Sequence, residues 1–540
     1  MVSSSSSNII SRVPRSVAIV PFEIWRECFM SLSTMDHKNL AKTCHFFRDI
    51  CLPFIFRSIT YCSDLVVGRS WCPGPTSDID EHKEYIKRFK QFAQNSKLAP
   101  LVRKCALLYS LELQPEANEK QVEAVKDDYD QFVMAFAMSL SSFINLRELL
   151  INFDRRMDKR ILAAFALLPN LEQITFTSAK FGVHFLKSRI RARRLIIDNS
   201  RQDRNPNSSA KCLDLFSGNH LESIQALSRN YAPKLFKALT SQGKSTRLTD
   251  LTFQLKPQDI DILYLFLATC PNLLSLTWHA DLTFTGDDIH SVSLPPLPHS
   301  TIPCLQTFHG IGGAAEVCTP GLPVYNATIC SDFFLSITKL EAVLQKLSLT
   351  TSPITNLTLE FGSCSPEHFD LIKKYVPQLE TLHVVLPSSK VFADEDPHHI
   401  SLSGTDEGVG SQKGDSLSIP DFQPLEPLLP ILAHAFYMNV LHWIAHRKIN
   451  LPPSLKTLRL DSRYCRYEHL KDTASQIAKC GRPYTFSTAH SILGALSIDY
   501  PSFECVQVHN FLSKEELRWS KTNGGNWTYS GVLELCSSGG

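Results

Sequence analysis

The chain has 540 residues, 43% of them hydrophobic, and its 55 basic against 53 acidic side chains leave a net charge of +2. That is enough apolar content for a large core spread over more than one unit, and it gives no electrostatic reason to expect a nucleic-acid or membrane-surface partner. No apolar run reaches the roughly 18 residues that span a bilayer, and the polar start from Ser3 to Asn8 is unlike a secretory signal, so the cytosol or nucleus is the expected location. The sixteen cysteines include no CxxC pair, and Cys44, Cys105 and Cys270 sit in apolar surroundings. Reduced core thiols are therefore expected, and disulfides are not.

Residues 1–15 read as a disordered tail and residues 16–62 as a small helical unit. Pro21 and Glu23 open a helix in which Ile24, Cys28, Phe29 and Leu32 fall at helical spacing on one face. Asp36 is placed to cap a second helix, along which Leu40, Cys44 and Phe47 recur until Leu52 and Pro53 end it. Three short helices are expected, too few to bury their apolar surface alone, so one face must meet a partner or the next domain. The stretch from Ile19 to Arg48 resembles an F-box. The resemblance implies docking to the Skp-type adaptor of an SCF ubiquitin ligase, and through it to a cullin. The matching positions are Val20, Pro21, Ile24, Phe29, Leu32, Asp36, Leu40, Cys44 and Phe47. Val20 stands where the family usually has Leu, and His37 where an apolar residue is common.

Residues 63–100 read as a helical connector: a turn at Trp71 to Pro75, then a charged amphipathic helix from Asp80 to Gln94 with Tyr85, Ile86, Phe89 and Phe92 inward. From residue 101 to 386 a pattern recurs in which a Leu or Ile is followed three and then five positions later by two apolar residues. Its copies are Leu146/Leu149/Ile151, Leu171/Ile174/Phe176, Leu248/Leu251/Phe253, Leu273/Leu276/Trp278, Ile354/Leu357/Leu359 and Leu379/Leu382/Val384, with a later one at Leu455/Leu458/Leu460. Three pairs of copies are each separated by 25 residues, inside the period of about 20 to 29 typical of leucine-rich repeats. Weaker copies lie at Leu195/Ile197 and Leu221/Ile224, and Leu305/Phe308 has Gly310 where the last apolar residue belongs. Pro169, Pro271, Pro303, Pro377 and Pro453 each precede a copy by two residues and feed the chain into an extended strand. Helical patterns lie before several copies, at Ile161 to Leu168, at Ile260/Leu263/Leu267, and at Phe369 to Tyr375 with Ser365 as cap. The fold class expected is an α/β solenoid: a three-helix F-box followed by about ten irregular leucine-rich repeats, parallel strands inside and helices outside.

Residues 387–424, rich in Ser, Gly and acidic side chains, read as a disordered insertion, and residues 425–540 as further repeats and a cap. Familiar catalytic spacings do not assemble. His434, His442 and His446 share a helical face without the Glu of a zinc-protease helix, and His309 to Gly313 reads as a flexible turn lacking any nucleophile or phosphate-loop lysine. No enzyme activity, cofactor or metal is expected. On the repeat strands the residues between buried positions point to the open face, which nominates Thr175, Thr277, His383 and Arg459 as substrate contacts. The expected function is that of a substrate receptor, with the repeat array binding a protein to be ubiquitylated. The alternative is a repeat scaffold without ligase function, whose N-terminal helices cap the first repeat.

Overall fold

The computed structural model of the chain describes residues 20–67, 75–113, 119–153, 156–181, 188–198, 213–279, 294–298, 300–330, 337–361, 365–387, 446–463, 500–510, 515–522 and 525–533, with Val440, Trp443, Ile444, Leu493 and Ile498. The chain divides into two compact units, Met1–Leu273 and Leu274–Gly540.

The first unit opens with α1 (Phe22–Phe29), α2 (Thr34–Leu40) and α3 (His45–Ile55). There follow β1 (Ser58–Val67), α4 (Pro75–Gln94), β2 (Lys104–Leu113), α5 (Glu119–Leu140), β3 (Glu148–Phe153), α6 (Lys159–Ala166), β4 (Gln173–Thr177), β5 (Arg194–Asp198), β6 (Ser223–Ala226), α7 (Ala232–Thr240), β7 (Asp250–Gln254) and α8 (Ile260–Leu267). Strands β1 to β7 pair in chain order, every pair parallel. The second unit runs β8 (Ser275–His279), β9 (Thr307–Ile311), α9 (Gly312–Cys318), β10 (Asn326–Cys330), α10 (Ile337–Leu347), β11 (Asn356–Glu360), α11 (Pro366–Tyr375), β12 (Thr381–Pro387), β13 (Thr457–Arg463), β14 (Cys505–Asn510), β15 (Glu515–Lys521) and β16 (Trp527–Leu533). Strands β8 to β14 are parallel neighbours. The order ends in an antiparallel meander of β14, β15 and β16. The architecture is thus a helical N-terminal unit followed by a solenoid-like α/β stack.

The same spacing of apolar residues builds the parallel strands, with Gly310 in the last apolar place of β9. The anticipated copies form β3, β4, β7, β8, β11, β12 and β13, and the weaker ones form β5, β6 and β9. Strands β1, β2, β10 and β14 extend the series beyond the expected ten. They arise from Phe56/Ile59/Tyr61, Val102/Cys105/Leu107, Val324/Ala327/Ile329 and Phe503/Val506/Val508, where Val or Phe opens the pattern in place of Leu. Inward residues alternate with half-buried ones along each short strand, as in β4 and β11, because successive side chains of a strand point to opposite faces.

Two ladders set the register between repeats in the first unit. The residue just before each strand offers its carbonyl to two successive N–H groups of the next repeat: Arg103 and Lys104 both donate to Arg57 at 2.9 Å, and Glu172 and Gln173 to Arg147 at 2.8 and 2.9 Å. In the turn, an asparagine amide closes the gap to the preceding repeat. Asn145 donates to the Pro100 carbonyl at 2.8 Å, Asn170 to Ile144 at 2.9 Å and Asn272 to Thr246 at 2.7 Å. These turns lie at the surface, and the amide ties each to the one before it, so these repeats carry an Asn before the strand, where a leucine-rich repeat places one after it.

Four sequence expectations need correction. The cap of α2 is Ser33, whose Oγ accepts the Asp36 N–H at 3.2 Å, while the Asp36 carboxylate reaches back to the Ser33 N–H, also at 3.2 Å. Asp36 is therefore the third helical residue of a capping box. Leu40, Cys44 and Phe47 do not share a helix: α2 stops at Leu40, and Cys44 caps α3 by accepting the Phe47 N–H on Sγ at 3.5 Å. Pro53 does not end that helix, which continues to Ile55. Finally, His309 to Gly313 is no turn, since Gly310 lies within β9 and α9 begins directly at Gly312. A Cβ on Gly310 would stand 3.1 Å from the Phe308 ring and from Trp278 Cβ and 3.2 Å from the Trp278 carbonyl, so the close approach of β8 makes this a tight position for any side chain.

The connector helix starts earlier than expected, at Pro75; Trp71 to Gly74 lie outside the described residues, as do residues 388–424 of the expected insertion and residues 425–439 after it. Ile86 is buried and Phe89 and Phe92 half-buried, whereas Tyr85 is exposed and donates its hydroxyl to the Thr60 carbonyl at 3.0 Å. Phe92 also meets Phe56 at 5.5 Å between ring centroids, which ties the N-terminal helices to the first repeat.

Candidate docking surfaces

The three N-terminal helices enclose a small core of Phe29, Ile50 and Cys51, with Trp25, Leu32, Leu40, Phe46, Phe47, Phe54 and Ile55 packed around it. Trp25, Phe29 and Phe47 form an aromatic triangle with centroids 5.3 to 5.9 Å apart, in the tilted and edge-on geometries that ring quadrupoles favour. His37 is buried, stacks on Phe54 at 4.8 Å, and satisfies its Nε2 against the Phe29 carbonyl at 2.8 Å. An imidazole thus occupies an apolar position without leaving that nitrogen unpaired.

This packing sorts the nominated adaptor contacts. Phe29 is 5% exposed and belongs to the core; Leu32, Leu40, Cys44, Phe47 and Val20 are half-buried. Pro21 and Ile24 face solvent, Ile24 being 51% exposed, and Cys28 is exposed one turn further along α1. Phe22, Met30 and Met35, not singled out from the sequence, are exposed as well, at 43%, 56% and 64%. Helical spacing grouped Ile24 and Cys28 with Phe29 on one face; the inward partner of Phe29 is instead Trp25. The result is a closed core with large apolar side chains left on its outside, an arrangement that marks interaction surfaces.

The open sheet face is a second candidate surface. In the first unit Thr175 is in register with Leu150 and Ile196. In the second unit one register row runs Thr277, His309, Thr328, Thr358, His383, Arg459 and Gln507, every member polar. Thr277, His383 and Arg459 thus share a row, and a group missed by sequence reasoning joins two of them. Asp461 Oδ2 lies 2.8 Å from His383 Nε2, while Asp461 Oδ1 accepts from Arg459 Nε at 3.1 Å. Burial alone would raise the Asp461 carboxyl, but hydrogen bonds from His383 and Arg459, with their charges, hold it below its ordinary value. On the same row His309 Nε2 lies 3.0 Å from the Cys330 thiol.

Among the described residues no group of three or more His, Cys, Asp or Glu side chains is arranged to hold a metal ion. His446 is exposed, and His434 and His442 lie outside the described residues. No described helix is long and apolar enough to cross a membrane.

Residues 19–58 match the F-box domain family and form an F-box domain. No curated protein matches the chain. Among solved structures, a chain of the Rad7 and Elc1 complex in yeast is similar at 14% identity, covering 69% of this chain and 88% of that one, with a TM-score of 0.29.

Proposed function

Because residues 19–58 are an F-box domain, we propose that the chain is the substrate-receptor subunit of an SCF-type ubiquitin ligase. The N-terminal helices dock a Skp-type adaptor, the adaptor holds a cullin, and the repeat array binds the protein to be modified. The chain performs no bond chemistry. It raises the local concentration of target lysines at the conjugating enzyme, and the Phe56–Phe92 contact that links the F-box to the first repeat limits the orientations to be searched. The cytosol or nucleus is where such an assembly works. The open-face row with Thr277, His383 and Arg459, and Thr175 in the first unit, is the proposed substrate surface.

One observation carries the adaptor reading: Pro21 and Ile24 are exposed while Phe29 fills the core. Helices serving only to cap the first repeat would turn Pro21 and Ile24 inward against it. The test is co-purification of the full chain with a Skp-type adaptor, native and with Pro21→Ala and Ile24→Asp together. Both residues face solvent, so circular dichroism and the melting temperature stay unchanged while adaptor retention is lost. If the native chain retains no adaptor, the ligase reading fails and a repeat scaffold without ligase function remains.

A further inference from the structure

The first unit carries a second feature, at the N-terminal edge of its strands and outside both the three N-terminal helices and the open sheet face. The carbonyl ladder stacks the residues that precede successive strands, and in chain order they are Arg57, Arg103, Arg147, Glu172, Arg193 and Glu222. Neighbours in this row are one strand spacing apart, about 4.8 Å. Arg57, Arg103 and Arg147 are consecutive and all exposed. Like charges opposite one another in a sheet are unfavourable, so folding alone gives no reason to stack them. Arg191 and Arg247 join Arg147 and Arg193 around an open cleft of about 550 Å³. These six arginines face two glutamates, an excess of four positive charges on a chain whose net charge is only +2.

The charges are available. Arg147 pairs with Glu172 at 3.1 Å, and Arg193 and Arg247 share Glu222. These arginines are each half or more exposed, and such pairs contribute little and exchange readily. Arg57, Arg103 and Arg191 make no side-chain hydrogen bond or ion pair to any described residue. A guanidinium offers a planar fork that matches the paired oxygens of a carboxylate or phosphoryl group. The cleft lining contains no Phe, Tyr or Trp on which a nucleic-acid base would stack, His220 being its one aromatic ring.

We infer that this edge binds an anionic segment of a protein, an extended peptide whose carboxylate or phosphoryl oxygens take the guanidinium N–H groups of Arg103, Arg147, Arg191 and Arg193. It is a second binding surface, separate from the open sheet face, and it does not depend on adaptor docking.

The test is fluorescence anisotropy on the full chain without adaptor. Four labelled probes of equal length are used: a peptide with glutamates, the same peptide with phosphoserines, its neutral serine version, and a single-stranded RNA. The glutamate or the phosphoserine peptide binds, and the tighter of the two identifies the source of the oxygens; the neutral peptide does not. The Arg103→Gln, Arg191→Gln double variant weakens that binding about tenfold or more, a loss expected when charge-assisted contacts disappear. Because neither arginine has a described partner, its melting temperature is unchanged. The charge-matched Lys346→Gln, Lys373→Gln variant, altered at exposed helix positions of the second unit, binds as the native chain does. No binding of either anionic peptide, equal losses in the two variants, or RNA binding as tight as the better peptide would each overturn the inference. Since no adaptor is present, such a failure leaves the F-box reading untouched.

Discussion

Gly310 and Gly313 stand three residues apart and answer differently to an added methyl group. At Gly310 an alanine Cβ would meet the Phe308 ring and Trp278 Cβ at 3.1 Å and the Trp278 carbonyl at 3.2 Å, and the backbone atom cannot rotate away. At Gly313, on the first turn of α9, no atom lies within 4 Å of the added Cβ. Overpacking a buried site costs about 1–3 kcal/mol, whereas removing a glycine from an unobstructed helical position gains about 0.4–1 kcal/mol by restricting the unfolded chain. Urea unfolding will therefore show Gly310→Ala shifting the midpoint down and Gly313→Ala shifting it up. Opposite signs so close together separate local crowding from any general effect of glycine on this segment. The sequence marks Gly310 as an irregular repeat position but carries no sign of its cause, because Trp278 is 32 residues away and meets it only through strand pairing.

At the scale of an element, α11 has a start that titrates. The Ser365 N–H donates to His368 Nδ1 at 3.1 Å and the Ser365 hydroxyl lies 2.8 Å from the same nitrogen, so the imidazole takes the place usually held by Glu or Gln in a capping box. Burial pushes His368 below its ordinary value of 6.5, against smaller opposing pulls from Ser365 and Glu367. The unfolded chain then binds the proton more readily than the folded one. The stabilising contribution is complete above pH 6.5 and is lost as the pH falls from there toward the folded value. Melting temperatures recorded between pH 8 and pH 5 should show this loss, and His368→Gln, which keeps the cap without the titration, should flatten that part of the profile. Much at this scale was legible in advance. Ser365 and Pro366 announce the helix, and the three-then-two spacing of apolar residues announces most parallel strands. Phe56, Val102, Val324 and Phe503 fall outside a pattern that opens with Leu or Ile, although burial requires only an apolar side chain there. The division of α1 into Trp25 and Phe29 inside and Ile24 and Cys28 outside was not legible, since periodicity gives the faces of a helix but not which one the neighbouring helices cover.

Across the whole molecule the described cysteines are free, and their reactivity should follow burial. Burial pushes the Cys105, Cys270 and Cys318 thiols up to about 12, and only a thiolate is nucleophilic. Cys28, Cys62 and Cys304 are exposed. Iodoacetamide treatment of the native chain followed by peptide mass spectrometry should label those three and spare Cys51, Cys105, Cys270 and Cys318 until denaturant is added. Labelling of the buried group in native buffer would mean that the repeats open far more often than so well-buried a core allows. Cys28 gives the same chemistry another use. It lies one helical turn from Ile24 on solvent-facing α1, whereas Cys304 belongs to the second unit. The ratio of alkylation at Cys28 to that at Cys304 is then an internally normalised gauge of how much of the chain is covered at α1. That ratio can be read in a crude lysate, with no tag, antibody or purification to disturb the equilibrium it measures.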